Sequence, residues 1–316
     1  MAEFTWTFDA PTGTYKNHKL SSRLYEAAVE NSMFMDHVRP VEGYGRNNGE
    51  TVTLTRVANI TEPTSAALTE SVRIPEDEFS LSTQTITVVE LGRAVPYTSL
   101  SQDLSMFDTE NPIQRKLREQ MRLVLDSLAA AAFKRTQIKY QITGAATSVI
   151  TTNGTFAGDA SANMNIFHVE EIRDYMFDTL RAEPAVDGDY LGIFRTLGLR
   201  GIKRDADWEE WHKYTDPTVK FNGEVGRIES VRFLETNHAN ALGKVGTSDV
   251  LGEGVVFGAD AVAMAEAMSP ELRAAIPGDF GRAKAVAWYG ILAMEPIWDT
   301  GNAGEANIVH VGSLNN

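Results

Sequence analysis

One stretch constrains this chain more than any other: Thr109–Lys134, which reads TENPIQRKLREQMRLVLDSLAAAAFK. Asn111 is placed to accept a hydrogen bond as an N-cap, and Pro112 follows at the first helical position, where a missing N–H costs nothing. Gln114, three residues after the cap, completes a variant of the capping box. Ile113, Leu117, Met121, Val124, Leu125 and Leu128 then recur at helical spacing. No glycine or further proline interrupts the run, and Ala129–Ala132 are strong helix formers. At 1.5 Å per residue the spacing predicts a rod on the order of 33 Å long.

The charges on this helix run against its dipole. Arg115, Lys116, Arg118 and Arg122 crowd its first half, where the helix already carries partial positive charge. Asp108 and Glu110 offset part of the cost. Two readings of the stripe are open: a solvated face, or a surface that meets acidic side chains on another copy of the chain.

The chain has 316 residues, enough for one large or two modest domains. Its net charge of −14 argues against broad electrostatic binding to nucleic acid, which needs clustered Lys and Arg. It has no cysteine, so disulfides, thiolate metal sites and cysteine nucleophiles are excluded. The N-terminal MAEFTWTFDAPTG has no basic segment followed by an apolar one, so no secretory signal is expected. The longest apolar runs, Leu128–Phe133 and Val286–Met294, are too short to span a bilayer. A cytoplasmic site of synthesis and assembly, with no membrane contact, is the expectation.

Upstream of the helix, a first segment to about Asn47 reads as an arm. It has one expected helix over Ser21–Met35, with Leu24, Ala27, Ala28, Val29 and Phe34 as its apolar stripe. Thr51–Val57 alternates and is rich in β-branched residues, as a strand would be. Thr83–Thr98 reads as a second strand whose alternation slips at Val88-Val89, with Gly92 and Pro96 expected at a bulge or edge. The long connection between them contains Pro63, Pro75 and the acidic run Glu76-Asp77-Glu78. A connection of that length is uncommon inside a compact domain. The whole predicts a projecting β-hairpin that buries little surface on its own body, and two isolated strands are marginal in water. A neighbouring copy is the simplest support. The hairpin carries Glu50, Glu62, Glu70, Glu76, Asp77, Glu78 and Glu90 against Arg56, Arg73 and Arg93. An acidic hairpin and a basic helix on one chain predict head-to-tail contact. The candidate intersubunit residues are Arg56, Arg73, Glu76, Asp77, Glu78, Arg93, Arg115, Lys116, Arg118 and Arg122.

Beyond the helix, short strands are expected at Ile138–Thr143 and Ser148–Thr152, a loop over Asn153–Asn165, and a helix over His168–Leu180. A buried strand follows at Tyr190–Phe194, an amphipathic helix at Asp205–Tyr214, and a strand at Arg227–Thr236 introduced by Phe221-Asn222-Gly223. Gly254–Phe257 should lead to Ala261–Ala267, a strand and then a short helix. Ala285–Trp298 and Ala306–Gly312 are expected as the last strands. Strands and helices without regular βαβ alternation make the fold class α+β.

Catalytic signatures are sparse. The six histidines form no HExxH pair, and His168 with Glu170 and Glu171 does not share one helix face. Asp205, Asp207, Glu209 and Asp216 echo a calcium loop, but Glu210 stands where an EF-hand needs glycine. Gly252, Gly254 and Gly258 do not form a dinucleotide fingerprint. Asp299-Thr300-Gly301 resembles the aspartic-protease tripeptide, and a single copy would need a dimer to supply the second carboxylate. No catalytic residue, metal ligand or cofactor is expected.

Three stretches in order carry a family resemblance. The first is TVTLTRVANITEPTSAALTESVRIPEDEF with TQTITVVELGRAVPYTSLSQDL and NPIQRKLREQMRLVLDSLAAAAF; the second is FNGEVGRIESVRFLET; the third is GVVFGADAVAMAEA with WYGILAMEPIW. Together they cover most of the chain from about Gly49. This resembles the major capsid proteins of tailed double-stranded-DNA bacteriophages, with the Hong Kong 97-type capsid fold. The resemblance implies an N-terminal arm over 1–47 and an E-loop hairpin over 48–100. It implies a peripheral domain over 101–162 holding a spine helix over 112–134, an axial domain over 163–283, and return strands of the peripheral domain over 284–316. It further implies hexamers and pentamers closing into an icosahedral shell in the host bacterial cytoplasm. The expected partners are further copies of the chain, a portal protein, separate scaffolding or cement proteins, and enclosed double-stranded DNA bound without sequence specificity. Some family members crosslink their shells from a lysine in the hairpin; this chain has no lysine between Lys19 and Lys116, so no such crosslink is expected. Two alternatives stand beside it: an encapsulin-type nanocompartment shell, and a dimeric aspartic hydrolase using Asp299.

Overall fold

The computed structural model describes residues 29–60, 62–63, 65–68, 70, 72–105, 110–205, 224–243, 251–276 and 279–314. The amphipathic helix expected over Asp205–Tyr214 lies outside them from residue 206 onward, as does most of the helix expected over Ser21–Met35. Residues 29–33, the part of that helix which is described, are not helical; a short 3-10 turn at Met35–His37 follows. The arm docks through Phe34, which is fully buried. A two-residue strand, β1 (Arg39–Pro40), then runs parallel to a later strand.

The hairpin is present. β2 (Thr51–Val57) pairs antiparallel with β3 (Leu81–Thr87) as a separate two-stranded sheet. The long second strand of the sequence reading breaks at Val88, where the alternation slips. Its continuation, β4 (Val89–Thr98), belongs to a different sheet. β4 is an edge strand there, which is why Pro96 is tolerated. Gly92 in β4 lies so close to its neighbour that a Cβ would stand 2.8 Å from the Trp288 carbonyl oxygen. A short helix, α1 (Ser99–Leu104), is capped by the Thr98 hydroxyl, which accepts from Ser101 N at 3.2 Å.

The long helix α2 spans Glu110–Lys134, starting one residue before the expected cap. Asn111 and Pro112 therefore lie inside the first turn rather than at its boundary. Proline is tolerated there because the first four N–H groups have no intrahelical partner. Gln114 donates to Glu110 Oε1 at 3.0 Å instead of closing a capping box on Asn111.

The next strands, β5 (Lys139–Gly144) and β6 (Thr147–Thr151), form a hairpin. α3 (Ile166–Asp174) starts two residues before His168 because Asn165 caps it: its Oδ1 accepts from His168 N, and His168 Nδ1 accepts from Asn165 N. The helix continues as a π turn over Tyr175–Thr179. β7 (Tyr190–Arg195) and a single turn, α4 (Arg200–Lys203), follow. The strand expected at Arg227–Thr236 is two strands, β8 (Glu224–Ile228) and β9 (Val231–Thr236). Glu229 and Ser230 both take positive φ, 44° and 62°, the backbone of a two-residue hairpin turn that neither residue advertises in sequence.

β10 (Leu251–Phe257) leads to β11 (Val262–Ala274), and this overturns the short helix expected over Ala261–Ala267. Alanine, methionine and glutamate favour helix in isolation. Here β11 pairs along its length with β12 (Ala283–Pro296) and buries alternate residues on two faces. Val262 and Met264 pack toward the cluster around α2, whereas Ala263 and Ala265 pack with Ile86 of the hairpin. Tertiary burial overrides propensity. β13 (Ile308–Leu314) is the last strand.

Two larger sheets result. One has the order β1-β11-β12-β4; the other has the order β6-β5-β13-β10-β7-β9-β8. β13 is central in the second, parallel to β5 and antiparallel to β10. The C-terminal half of α2 sits where the sheets meet. The Phe133 ring is 5.6 Å from that of Phe34 and 4.6 Å from that of Phe257, within a cluster that also holds Leu125, Ile193, Val255, Met264 and Leu292. The other face of the seven-stranded sheet packs Tyr140, Phe194, Phe233 and Val311 against Val169, Ile172 and Met176. Both faces are covered, so β7, β10 and β13 are buried along most of their length, polar Glu253 and His310 included.

Candidate assembly surfaces

The hairpin exposes what a free-standing monomer would bury. Val57, Ile60, Leu68, Val72, Ile74, Phe79 and Leu81 are each 52–65% exposed. Its base is better anchored than the sequence predicts, because Ile86 is fully buried with Val52, Leu54 and Val88 around it. Exposed apolar residues in this number along β2, β3 and the connection between them mark a contact surface.

The candidate charged residues fall into three groups. Arg56 is spent inside its own subunit: it is 7% exposed, and its guanidinium bonds to Asp299, to the Ile297 carbonyl oxygen at 3.2 Å and to Ser82 Oγ at 3.2 Å. This takes Arg56 out of the intersubunit set. Arg73 pairs with Glu76 three residues on, both highly exposed, while Asp77 and Glu78 are exposed beside them. Arg93 is exposed on the edge strand β4. On α2, Arg115, Arg118 and Arg122 are exposed at spacings of three and four, so they share one face. Arg122 donates to the Glu30 carbonyl oxygen at 3.1 Å. Lys116 faces aside and pairs with Glu119 at 2.7 Å. Among the described residues no ion pair joins Glu76, Asp77 or Glu78 to Arg115, Lys116 or Arg118 within the chain. Beside the stripe is an apolar hollow of about 370 Å³ lined by Val95, Pro112, Ile113, Lys116, Leu117 and Gln120.

Two titratable clusters escaped the sequence reading. In the first, Asp126, fully buried on α2, accepts from the Phe34 and Met35 backbone N–H groups at 2.8 and 3.3 Å and contacts His238 Nδ1 at 2.8 Å. His238 Nε2 lies 3.3 Å from Ser127 Oγ. The distances mimic a Ser-His-Asp triad, but the Ser127 hydroxyl donates to the Leu123 carbonyl oxygen of its own helix at 3.0 Å. One carboxylate oxygen of Asp126 is meanwhile occupied by the arm. The cluster is a knot tying arm, helix and the loop after β9. Asp126→Ala is expected to cost about 1–3 kcal/mol by stranding buried donors, and to speed proteolysis around residues 30–38; an unchanged digestion pattern would contradict this role.

In the second cluster, Glu253 accepts from His310 Nε2 at 2.8 Å and from Gly243 N at 2.7 Å. Lys139 Nζ lies 3.0 Å from His310 Nδ1 and donates to the Lys134 carbonyl oxygen at 2.6 Å. Burial lowers the Lys139 amine to about 8. Burial likewise lowers His310. Burial pushes Glu253 up, but the bond from His310, its charge and Lys134 outweigh that and hold it below the usual range. Among the described residues no group of three or more His, Asp or Glu is placed to hold a metal ion, and no helix is long and apolar enough to cross a membrane.

No protein-family model matches the sequence, and no curated protein does. Solved structures do match. The chain is similar to the capsid asymmetric unit of cyanophage Pam1, at 15% identity with TM-score 0.71, covering 100% of both chains. It is also similar to the head structure of Helicobacter pylori bacteriophage KHP40, at 13% identity with TM-score 0.72, covering 96% of this chain and 97% of that one. The capsid of Ralstonia phage GP4 matches at 13% identity with TM-score 0.68, covering 99% of each. This is a bacteriophage capsid-protein fold.

The likeness to the cyanophage Pam1 capsid covers 100% of this chain, a span that includes β2, β3 and α2. The aspartic-hydrolase alternative loses its central residue. The Asp299 carboxylate is committed to the Arg56 guanidinium of the same chain, not left to share a proton with a second aspartate. One further surface of the capsid-protein fold was missed in sequence. The β11–β12 tip carries Ile276 at 95% and Phe280 at 106% exposure. The signal was present as Ile276-Pro277-Gly278-Asp279 between two apolar runs, which is hairpin-turn chemistry.

Proposed function

We propose that this chain is a phage major capsid protein that self-assembles into hexamers and pentamers of an icosahedral shell around double-stranded DNA. The observation carrying this reading is the full-length likeness to phage capsid structures at identities of 15% or less. In Hong Kong 97-type terms, β2 and β3 with their connection are the E-loop, α2 is the spine helix, and residues before β1 form the arm. The protein acts as a wall, without a catalytic centre or cofactor. Its partners are other copies, a portal protein, and separate scaffolding or cement proteins, in a virion assembled in the bacterial cytoplasm. The net charge of −14 agrees with DNA enclosed rather than gripped.

Head-to-tail contact supplies the ring. The hairpin of one copy, with Glu76, Asp77 and Glu78, lies against Arg115, Lys116 and Arg118 of the next, and Phe79 and Ile74 cover the apolar hollow beside them. Such heterologous contacts close into rings. Reversing Arg115, Lys116 and Arg118 to Glu is expected to abolish assembly, and reversing Glu76, Asp77 and Glu78 to Lys on the same chain to restore it. Sedimentation velocity with negative-stain microscopy reads both. A triple variant that assembles like wild type overturns the contact. A wild-type chain that stays a compact monomer or dimer, with candidate scaffolding protein present, overturns the capsid reading.

A further inference from the structure

We propose that Asn48-Gly49, at the foot of the hairpin, is a site of spontaneous self-modification, where the glycine nitrogen attacks the asparagine side chain and converts it to aspartate and isoaspartate. The chemistry stands apart from the capsid reading; its consequence for assembly rests on that reading.

The sequence holds three Asn-Gly pairs: Asn48-Gly49, Asn153-Gly154 and Asn222-Gly223. The last lies outside the described residues. Asparagine is chemically labile, and a following glycine offers a peptide nitrogen with no side chain to obstruct ring closure. The dipeptide alone does not separate the first two pairs, but their surroundings do.

At Asn153-Gly154 both reacting groups are committed. Gly154 N, the attacking atom, donates to the Gln137 carbonyl oxygen at 2.8 Å. Asn153 Oδ1 accepts from Thr155 N at 3.0 Å and from Thr155 Oγ1 at 2.9 Å. At Asn48-Gly49 the side-chain amide makes a single bond, from Nδ2 to the Gly43 carbonyl oxygen at 3.1 Å. Tyr44 Oη donates to the Gly49 carbonyl oxygen at 2.9 Å and holds the turn without touching the attacking atom. Among the described residues Gly49 N has no hydrogen-bond partner. Both residues are exposed, and nothing stands within 4 Å of where a Gly49 Cβ would be.

Hydroxide takes the Gly49 amide proton, the nitrogen bonds to Asn48 Cγ, and the Cγ–Nδ2 bond breaks, with Nδ2 leaving as ammonia after taking a proton from water. Water then opens the succinimide. Cleavage between the ring nitrogen and Cγ gives aspartate. Cleavage between that nitrogen and the main-chain carbonyl carbon gives isoaspartate, whose backbone runs through Cβ and Cγ. The net reaction consumes a water and releases an ammonia. The product lengthens the backbone just before β2 and adds a negative charge there. Glu50, two residues on, accepts from Val88 N at 3.0 Å, where the hairpin hands over to β4. The change therefore alters how the hairpin is aimed at the next copy, and subunits that wait too long unassembled leave the ring-forming pool.

The test holds purified subunits at neutral and mildly alkaline pH, folded and in urea, and reads digested peptides by mass spectrometry with enzymatic isoaspartyl methylation. In the folded chain Asn48 should convert about tenfold or more faster than Asn153, because the Gly154 bond must open before attack. In urea the two rates should converge. Equal rates in the folded chain, or faster conversion of Asn153, overturn the proposal. A ratio that persists in urea also overturns it, since sequence neighbours rather than the fold would then set it. Asn48→Gln cannot close the five-membered ring, so aged variant subunits should form rings like fresh ones while aged wild type loses ring formation as isoaspartate accumulates. Converted wild type that assembles fully overturns the consequence. Fresh wild type that never assembles strikes the capsid reading and leaves the rate comparison standing.

Discussion

Glu253→Ala is expected to destabilise the unassembled subunit by about 3–5 kcal/mol, the range for breaking a buried ionic network at one member. Glu253 is 2% exposed. Its removal leaves the His310 Nε2–H and Gly243 N–H donors without their acceptor, and leaves Lys139 with no counter-charge nearby. The loss falls on β10 and β13, adjacent strands in the middle of the seven-stranded sheet. Glu253→Gln retains one acceptor oxygen and should recover part of the loss. Urea denaturation measures both, and a Glu253→Ala midpoint equal to wild type would refute the network's role.

The same cluster sets a pH dependence. All three groups have folded pKa values below their ordinary ones, so between the two values the unfolded chain binds more protons and stability rises with pH. For Glu253 the contribution is complete above 4.5 and is lost as pH falls through its lowered folded value. For His310 it is complete above 6.5 and is lost on acidification. For Lys139 stability climbs between about 8 and 10.5. The denaturation midpoint should therefore decline from pH 7 toward pH 4, and Glu253→Gln should flatten the most acidic part of that decline.

Trp288→Ala is the second large effect, expected at about 3–5 kcal/mol from a lost aromatic side chain and the cavity left behind. Trp288 is 2% exposed and packs with Leu117 of α2 and Val286 of its own strand, while its indole N–H donates to Gln120 Oε1 at 3.3 Å. It is the rivet between the long helix and the four-stranded sheet. The variant should also lose assembly at temperatures where the subunit remains folded, because α2 carries the basic stripe and Trp288 fixes its tilt. Thermal unfolding together with particle yield tests both parts; a variant with native melting temperature would remove Trp288 from this role.

Local signals made much of the fold legible. The periodicity of α2, the alternation of β2 and the apolar runs at β7 and β12 each report one element's own burial. The slip at Val88-Val89 even marked where one strand hands over to another sheet. What failed was non-local. β11 is rich in helix formers and becomes a strand only because β12 pairs along its edge while the cluster around α2 and the hairpin cover its two faces. The Glu229-Ser230 turn lacks the glycine or asparagine that usually announces positive φ. The charge contrast between hairpin and helix was visible because it lies in short runs. The Arg56–Asp299 pair joins residues far apart in sequence, and no spacing rule reaches it. The His238 and His310 clusters were invisible for the same reason: their members come from separate elements that only the tertiary fold brings together.

The place of β13 carries a consequence for synthesis. The strand occupies the middle of its sheet, between β5 and β10, yet every other strand of that sheet precedes it in the chain. Until residues 308–314 are made, β5 and β10 have no common partner, and the sheet stands as two separate pieces, β6-β5 and β10-β7-β9-β8. A chain cut before residue 308 is therefore expected to leave this sheet open in its middle, whatever its earlier strands have done.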